Sequence, residues 1–117
     1  MSYVDGLVIP VPTAKRAEFE AGARIFNAFF LECGALQAMD CWQDDVPHGK
    51  LTDFHRAVAA EPVESIVFSW VVWPSKEIRD AAHAKMRSDS RMNSSSMPFD
   101  GRRMIFGGFT PISGNDA

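Results

Sequence analysis

The run Asp40-Cys41-Trp42-Gln43-Asp44-Asp45-Val46-Pro47-His48 holds the densest set of chemically capable side chains in the sequence. Adjacent carboxylates at Asp44 and Asp45 can hold a hard cation or take up a proton, and Trp42 beside them offers a flat apolar wall. The same residue types also make a solvated turn, with Trp42 belonging to a core. A second group, Asp100-Gly101-Arg102-Arg103, is a tight turn with two guanidinium groups. Arg102 or Arg103 can clamp a small carboxylate there, or form a salt bridge to the Asp-rich loop. With Trp70 from an apolar run further along, the candidate ligand-binding residues are Trp42, Asp44, Asp45, Trp70, Asp100 and Arg102. In that reading the rings hold a planar ligand, a carboxylate moves a proton and Arg102 meets a negative group.

Other chemistries find less support. His48 and His55 flank Asp53, a two-histidine, one-carboxylate composition, but a spacing of seven fits no rigid helical pair, so no metal site is expected. His83, between Ala82 and Ala84, reads as an exposed helical residue. No G-x-S-x-G elbow or reactive cysteine context marks a nucleophile. Gly107-Gly108 lies within a strand, where paired glycines mark a bulge or a close backbone approach, and not at a phosphate-binding turn. No motif calls for a cofactor.

The elements that must position these residues are legible from period. Tyr3 to Val11 is a strand stopped by prolines. Thr13 can cap a helix running from Ala14 to Cys33, whose apolar stripe is Phe19, Ala23, Phe26, Phe30 and Cys33, with Gly34 as its left-handed stop. Ala35 to Trp42 is a second strand and Gln43 to Lys50 a loop. Leu51 to Ala60 is either a short helix capped by Asp53 or one arm of a hairpin, with the hairpin favoured. Ser65 to Pro74 is apolar on both alternating faces, which makes it a central strand covered twice. Ser75 caps a helix through Met86, with Ile78, Ala81, Ala82 and Met86 inward. Ser88 to Ser96 is a polar loop suited to act as a lid, Met104 to Ile112 a last strand, and Ser113 to Ala117 a frayed tail.

The order β-α-β-β-α-β is the split pattern of ferredoxin-like folds: α+β, with an antiparallel sheet and two helices on one face. Residues 1–117 form one domain of this kind. The helices leave the second apolar sheet face without a cover, and an identical sheet from a second copy is its natural partner. A formal charge of −3, with basic residues scattered, argues against nucleic acid. The start of the chain lacks the features of a signal peptide, and no apolar run of about 18 residues exists to span a bilayer, so a cytoplasmic protein is expected. Cys33 and Cys41 read as free buried thiols.

Four segments carry a resemblance: Tyr3-Val4-Asp5-Gly6, Cys41-Trp42-Gln43-Asp44-Asp45-Val46-Pro47, Val67-Phe68-Ser69-Trp70-Val71-Val72-Trp73-Pro74-Ser75-Lys76 and Met97-Pro98-Phe99-Asp100-Gly101-Arg102-Arg103-Met104-Ile105. In this order and spacing the chain resembles the bacterial family called domain of unknown function 1428. The resemblance implies a dimeric α/β-barrel in the cytosol with no established activity. By analogy with wider relatives of the fold, it is consistent with a small-molecule-binding protein or cofactor-free enzyme. A purely structural dimer and, less favoured, an RNA-binding module are the alternatives.

Overall fold

Two long apolar strands pair along their whole length and organise everything else. β1 (Tyr3–Pro12) runs antiparallel to β3 (Glu64–Trp73), with Tyr3 opposite Trp73 and Pro12 opposite Glu64. β2 (Gln37–Trp42) flanks β3, and β4 (Ile105–Phe109) flanks β1 from Val4 to Val8 only. The sheet order is β2-β3-β1-β4, all antiparallel, in a computed structural model that describes residues 2–94 and 97–115. The fold is α+β, and β3 is an interior strand, as its doubly apolar sequence requires.

Strand alternation sorts the side chains. Tyr3, Asp5, Leu7, Ile9 and Val11 of β1 share a face with Ser65, Val67, Ser69, Val71 and Trp73 of β3 and with Ala38, Asp40 and Trp42 of β2. On this face pack α1 (Arg16–Glu32) and α3 (Lys76–Ser88). Ile9, Val11, Phe19, Ala23 and Val67 form one buried cluster, and Ala35, Val71, Trp73 and Ala82 another. Gly34, at φ +107°, ends the first helical region in the left-handed conformation that its sequence position requires. Ser75 caps α3 by accepting from the Ile78 N–H.

Several expectations are corrected. Residues 51–60 form no hairpin arm: α2 (Phe54–Ala57) is a single turn, with the Asp53 side chain accepting from the Arg56 N–H. That cap closes a helix too short to show any period. Thr13 does not cap α1 with its side chain. Its hydroxyl bonds the Ser65 hydroxyl at 2.7 Å, and a short 3-10 turn, Thr13–Lys15, leads into α1. Within the Ser88 to Ser96 segment, Ser90–Ser94 is a helix, α4, and Ser95 and Ser96 lie outside the described residues. Met92 is buried there, and Arg91 pairs with Glu32 of α1 and stands over the Phe29 ring, which pins the segment down rather than leaving it a lid. The last strand is shorter than Met104 to Ile112. Gly108 is a close approach, since a Cβ there would fall 2.3 Å from the Tyr3 hydroxyl.

Candidate functional site

Asp40 is the polar side chain of β2 that alternation turns towards α1, between Ala38 and Trp42. Its carboxylate accepts from Ser69 of the neighbouring strand and, at 2.9 Å, from the Asn27 amide of α1. These groups lie beside a cavity of about 440 Å³ between α1 and the β2 edge, lined by Phe19, Ala23, Asn27, Asp40, Trp42 and Val67, with Arg16, Glu20 and Arg24 among its polar residues. Arg16 stands over the Trp42 ring at 5.2 Å and pairs with Glu20 at 2.9 Å. Phe19 meets Trp42 with ring centroids 6.5 Å apart. The arrangement is an aromatic slot with two carboxylates, Asp40 and Glu20, one amide, Asn27, and two guanidinium groups, Arg16 and Arg24. Each Asp40 oxygen accepts one bond from the protein and keeps further acceptor capacity for a ligand O–H or N–H.

A second polar cluster lies deeper on the same face. Asp5 of β1, only 5% exposed, accepts from Trp73 Nε1 at 2.9 Å and from Arg79 at 2.8 and 3.0 Å, with His83 Nε2 at 3.2 Å. Burial pushes the Asp5 carboxyl up, but hydrogen bonds from His83, Arg79 and Trp73 and the Arg79 charge outweigh this and hold it below its ordinary value. Arg79 also covers the Tyr3 ring at 5.3 Å, so the cluster ties α3 to β1. His83 was expected to be exposed and instead faces this carboxylate. The sequence signal for the cluster was parity: Asp5 shares the inward register of Leu7 and Ile9, and Arg79 and His83 bracket buried Ala82 on one helical face.

The other sheet face is apolar and largely open. Val4, Val8, Phe68, Trp70, Ile105 and Phe109 surround a shallow hollow of about 580 Å³ floored by Gly6 opposite Gly107. No Lys or Arg occupies a position on this face in the four strands. Phe54 of α2 meets Phe68 edge-on at 6.0 Å and covers one end of it.

The six candidate residues do not converge on one cavity. Trp42 lines the cavity with Asp40, whereas Asp44 and Asp45 are exposed on the loop that follows. Trp70 lies on the opposite sheet face, where its indole N–H donates to Gln37 Oε1 at 2.9 Å. Asp100 and Arg102 pair with each other within one turn at 3.1 Å, and the Arg102 side chain is 92% exposed. Hydrogen bonds from Arg102, through its side chain and then its backbone, hold the Asp100 carboxyl down to about 2. Among the described residues no ion pair joins Arg102 or Arg103 to Asp44 or Asp45; Arg103 instead reaches inward, with two bonds to buried Glu64 at 2.6 and 2.7 Å. Asp40, Asn27 and Ser69 were the residues missed. Asp40 had the signal of an acid between two inward apolar positions of a short strand.

Residues 2–101 match the family described as Protein of unknown function (DUF1428). The chain belongs to this family. Over 114 residues it is 54% identical to the uncharacterized protein YbaA of Escherichia coli K12, covering 96% of this chain and 97% of that one, and it matches YbaA of Shigella flexneri equally well. Among solved structures, this family member is similar to a mutant of SnoaB, a cofactor-independent oxygenase from Streptomyces nogalater, at a TM-score of 0.60 and 16% identity, covering 99% of this chain and 98% of the other. It is also similar to a putative antibiotic biosynthesis monooxygenase from Nitrosomonas europaea, at a TM-score of 0.52 and 10% identity, with 95% and 90% covered. At these identities the likeness is one of fold: ferredoxin-like α+β. Among the described residues, no helix is long and apolar enough to cross a membrane.

Proposed function

We propose that this chain is a cytoplasmic small-molecule-binding protein, working as a cofactor-free enzyme on a planar, hydroxyl-bearing ligand held between α1 and β2. The observation that carries this reading is Asp40, a carboxylate oriented by Asn27 and Ser69 beside a slot walled by Phe19 and Trp42. Apolar walls with few polar groups are the usual composition of ligand sites, and a positioned carboxylate is a general base. The ligand ring lies against Trp42, its hydroxyl donates to Asp40, and Arg16 at the same ring meets developing negative charge. The fold shared with a cofactor-independent oxygenase supports a cofactor-free reading of the site.

The open sheet face supports a homodimer in the dimeric α/β-barrel manner, each sheet covering the other. Its strand positions are largely apolar and hold no Lys or Arg, which suits a second copy better than a polyanion. A standard interface buries about 1,600 Å² in total, and this face offers exposed Phe68, Ile105 and Phe109 towards it.

The test is a thermal-shift screen of hydroxylated aromatic compounds against the wild type and Asp40→Asn. A compound at a hundredfold excess over Kd stabilises the wild type by about 2.7 kcal/mol. Asp40→Asn, which keeps an acceptor for Ser69, melts near the wild type without ligand but binds about 10- to 100-fold more weakly, the worth of a hydrogen bond to a charged group. Equal binding by the variant, or a screen with no wild-type ligand, refutes the assignment.

A further inference from the structure

We propose that His48, Asp53 and His55 form a site for one divalent transition-metal ion of the zinc class, on the excursion between β2 and β3. None of the three lines the cavity described above, so the inference stands apart from the proposed function.

The local chain is built to bring them together. Asp53 caps α2 by accepting from the Arg56 N–H at 2.7 Å, and its other oxygen accepts from the Gly49 N–H at 3.0 Å. Gly49 has no room for a side chain, since a Cβ there would lie 2.2 Å from the Thr52 carbonyl oxygen. The resulting turn folds His48 back onto the helix. At the far end of α2 the Ala59 N–H bonds the Arg56 carbonyl and the Ala60 N–H bonds the His55 carbonyl, with Ala59 left-handed at φ +49°. This closed cap fixes the position of His55. A spacing of seven that fits no helix is thus converted by one turn into adjacency.

Three observations point to an ion. One ligand atom from each residue lies within 4.8 Å of the others, with His48 Nδ1 3.8 Å from Asp53 Oδ2 and His55 Nδ1 4.0 Å from Asp53 Oδ1. The two imidazoles stack, with centroids 4.2 Å apart and planes 21° from parallel, so both rings stand beside the same carboxylate. His55 Nδ1 is buried and has no hydrogen-bond partner, the one such side-chain atom found among the described residues. Buried polar atoms are ordinarily paired, and an ion held between this nitrogen, the carboxylate and the second imidazole would pair it.

Two imidazoles and one carboxylate suit zinc, cobalt, nickel or copper, whereas magnesium and calcium favour all-oxygen sites. Arg56 competes for the same carboxylate from 3.6 Å, but its Nη1 also donates to the Gly49 carbonyl at 2.9 Å, a bond it retains when a metal binds. His48 is largely exposed and free to turn out of the stack, the movement that lets its Nδ1 lone pair meet an ion shared with His55 and Asp53, with a fourth position left for water.

The test titrates Zn2+ and Co2+ calorimetrically into chelator-treated protein, beside His48→Gln, His55→Gln and Asp53→Asn, the last retaining a good N-cap. The expected result is one equivalent per chain, a visible Co2+ spectrum of a four-coordinate ion, and binding at least about tenfold weaker in each variant. In the wild type, zinc also shifts the imidazole 15N resonances of His48 and His55 and leaves His83 unmoved, a readout independent of variant folding. No binding, unchanged binding in both histidine variants, or a shift at His83 alone overturns the proposal.

Discussion

Replacing Asp5 with alanine tests whether the inner polar cluster holds α3 to the sheet. The substitution removes the acceptor for Trp73 Nε1 and for two Arg79 nitrogens, and it leaves a guanidinium only 16% exposed with Asp80 as its remaining carboxylate. Breaking a buried pair from one side costs about 3–5 kcal/mol, because the surviving charge stays desolvated. For a chain of 117 residues each kcal/mol moves the melting temperature by about 4 °C, so a loss of about 12–20 °C is expected. The double variant Asp5→Leu with Arg79→Met removes both charges and should recover much of this. Circular dichroism melts and urea titrations at pH 7 on Asp5→Leu, Arg79→Met and the pair give the coupling directly. Loss of less than about 1 kcal/mol in Asp5→Ala, or single effects that add in the pair to within about 0.5 kcal/mol, would refute the reasoning.

Stability should also fall in acid. Asp5, Glu64 and Asp100 have folded-state carboxyls held below their ordinary values, Glu64 chiefly by the Arg103 bonds and Asp100 to about 2. As pH drops, the unfolded chain therefore takes up protons first, so stability present above about pH 4.5 drains away towards pH 2; a melting temperature flat from pH 6 to pH 3 would contradict this. Light scattering at micromolar concentration should report twice 13.0 kDa, and Phe109→Asp, on the open face, should give a folded species of 13.0 kDa. A wild-type protein at the single mass removes the dimer.

Period made the long elements readable. A ten-residue run with apolar side chains on both faces required β3 to lie inside the sheet, and the stripe containing Phe19 and Ala23 had no alternative to a helix packed on it. What escaped was decided by single residues. One turn of helix at Phe54–Ala57 depends on the Asp53 cap and carries no period, and the Ser-rich segment is held by the burial of Met92 and the pairing of Arg91 with Glu32 of α1. Of two adjacent arginines the turn at Asp100 sends Arg103 inward and Arg102 out, a choice of backbone direction that composition does not encode. The candidate site was half legible for the same reason: Trp42 stood out by size, while Asp40 was one acid among several until the register with Ser69 placed it.

The partial pairing of β1 has a consequence for how the sheet meets other chains. β4 stops at Val8, which leaves the last stretch of β1 with an outer edge that no strand completes. Ile66, opposite Pro10, spends both its backbone N–H and its carbonyl on Gln43, so Pro10 turns its ring nitrogen away from β3 and towards that edge, and Pro12, two residues on, does the same. The positions where an incoming strand would seek donors hold imide nitrogens instead. Edge-on pairing is thereby blocked along this stretch of β1, while the outer edges of β2 and β4 carry no such prolines.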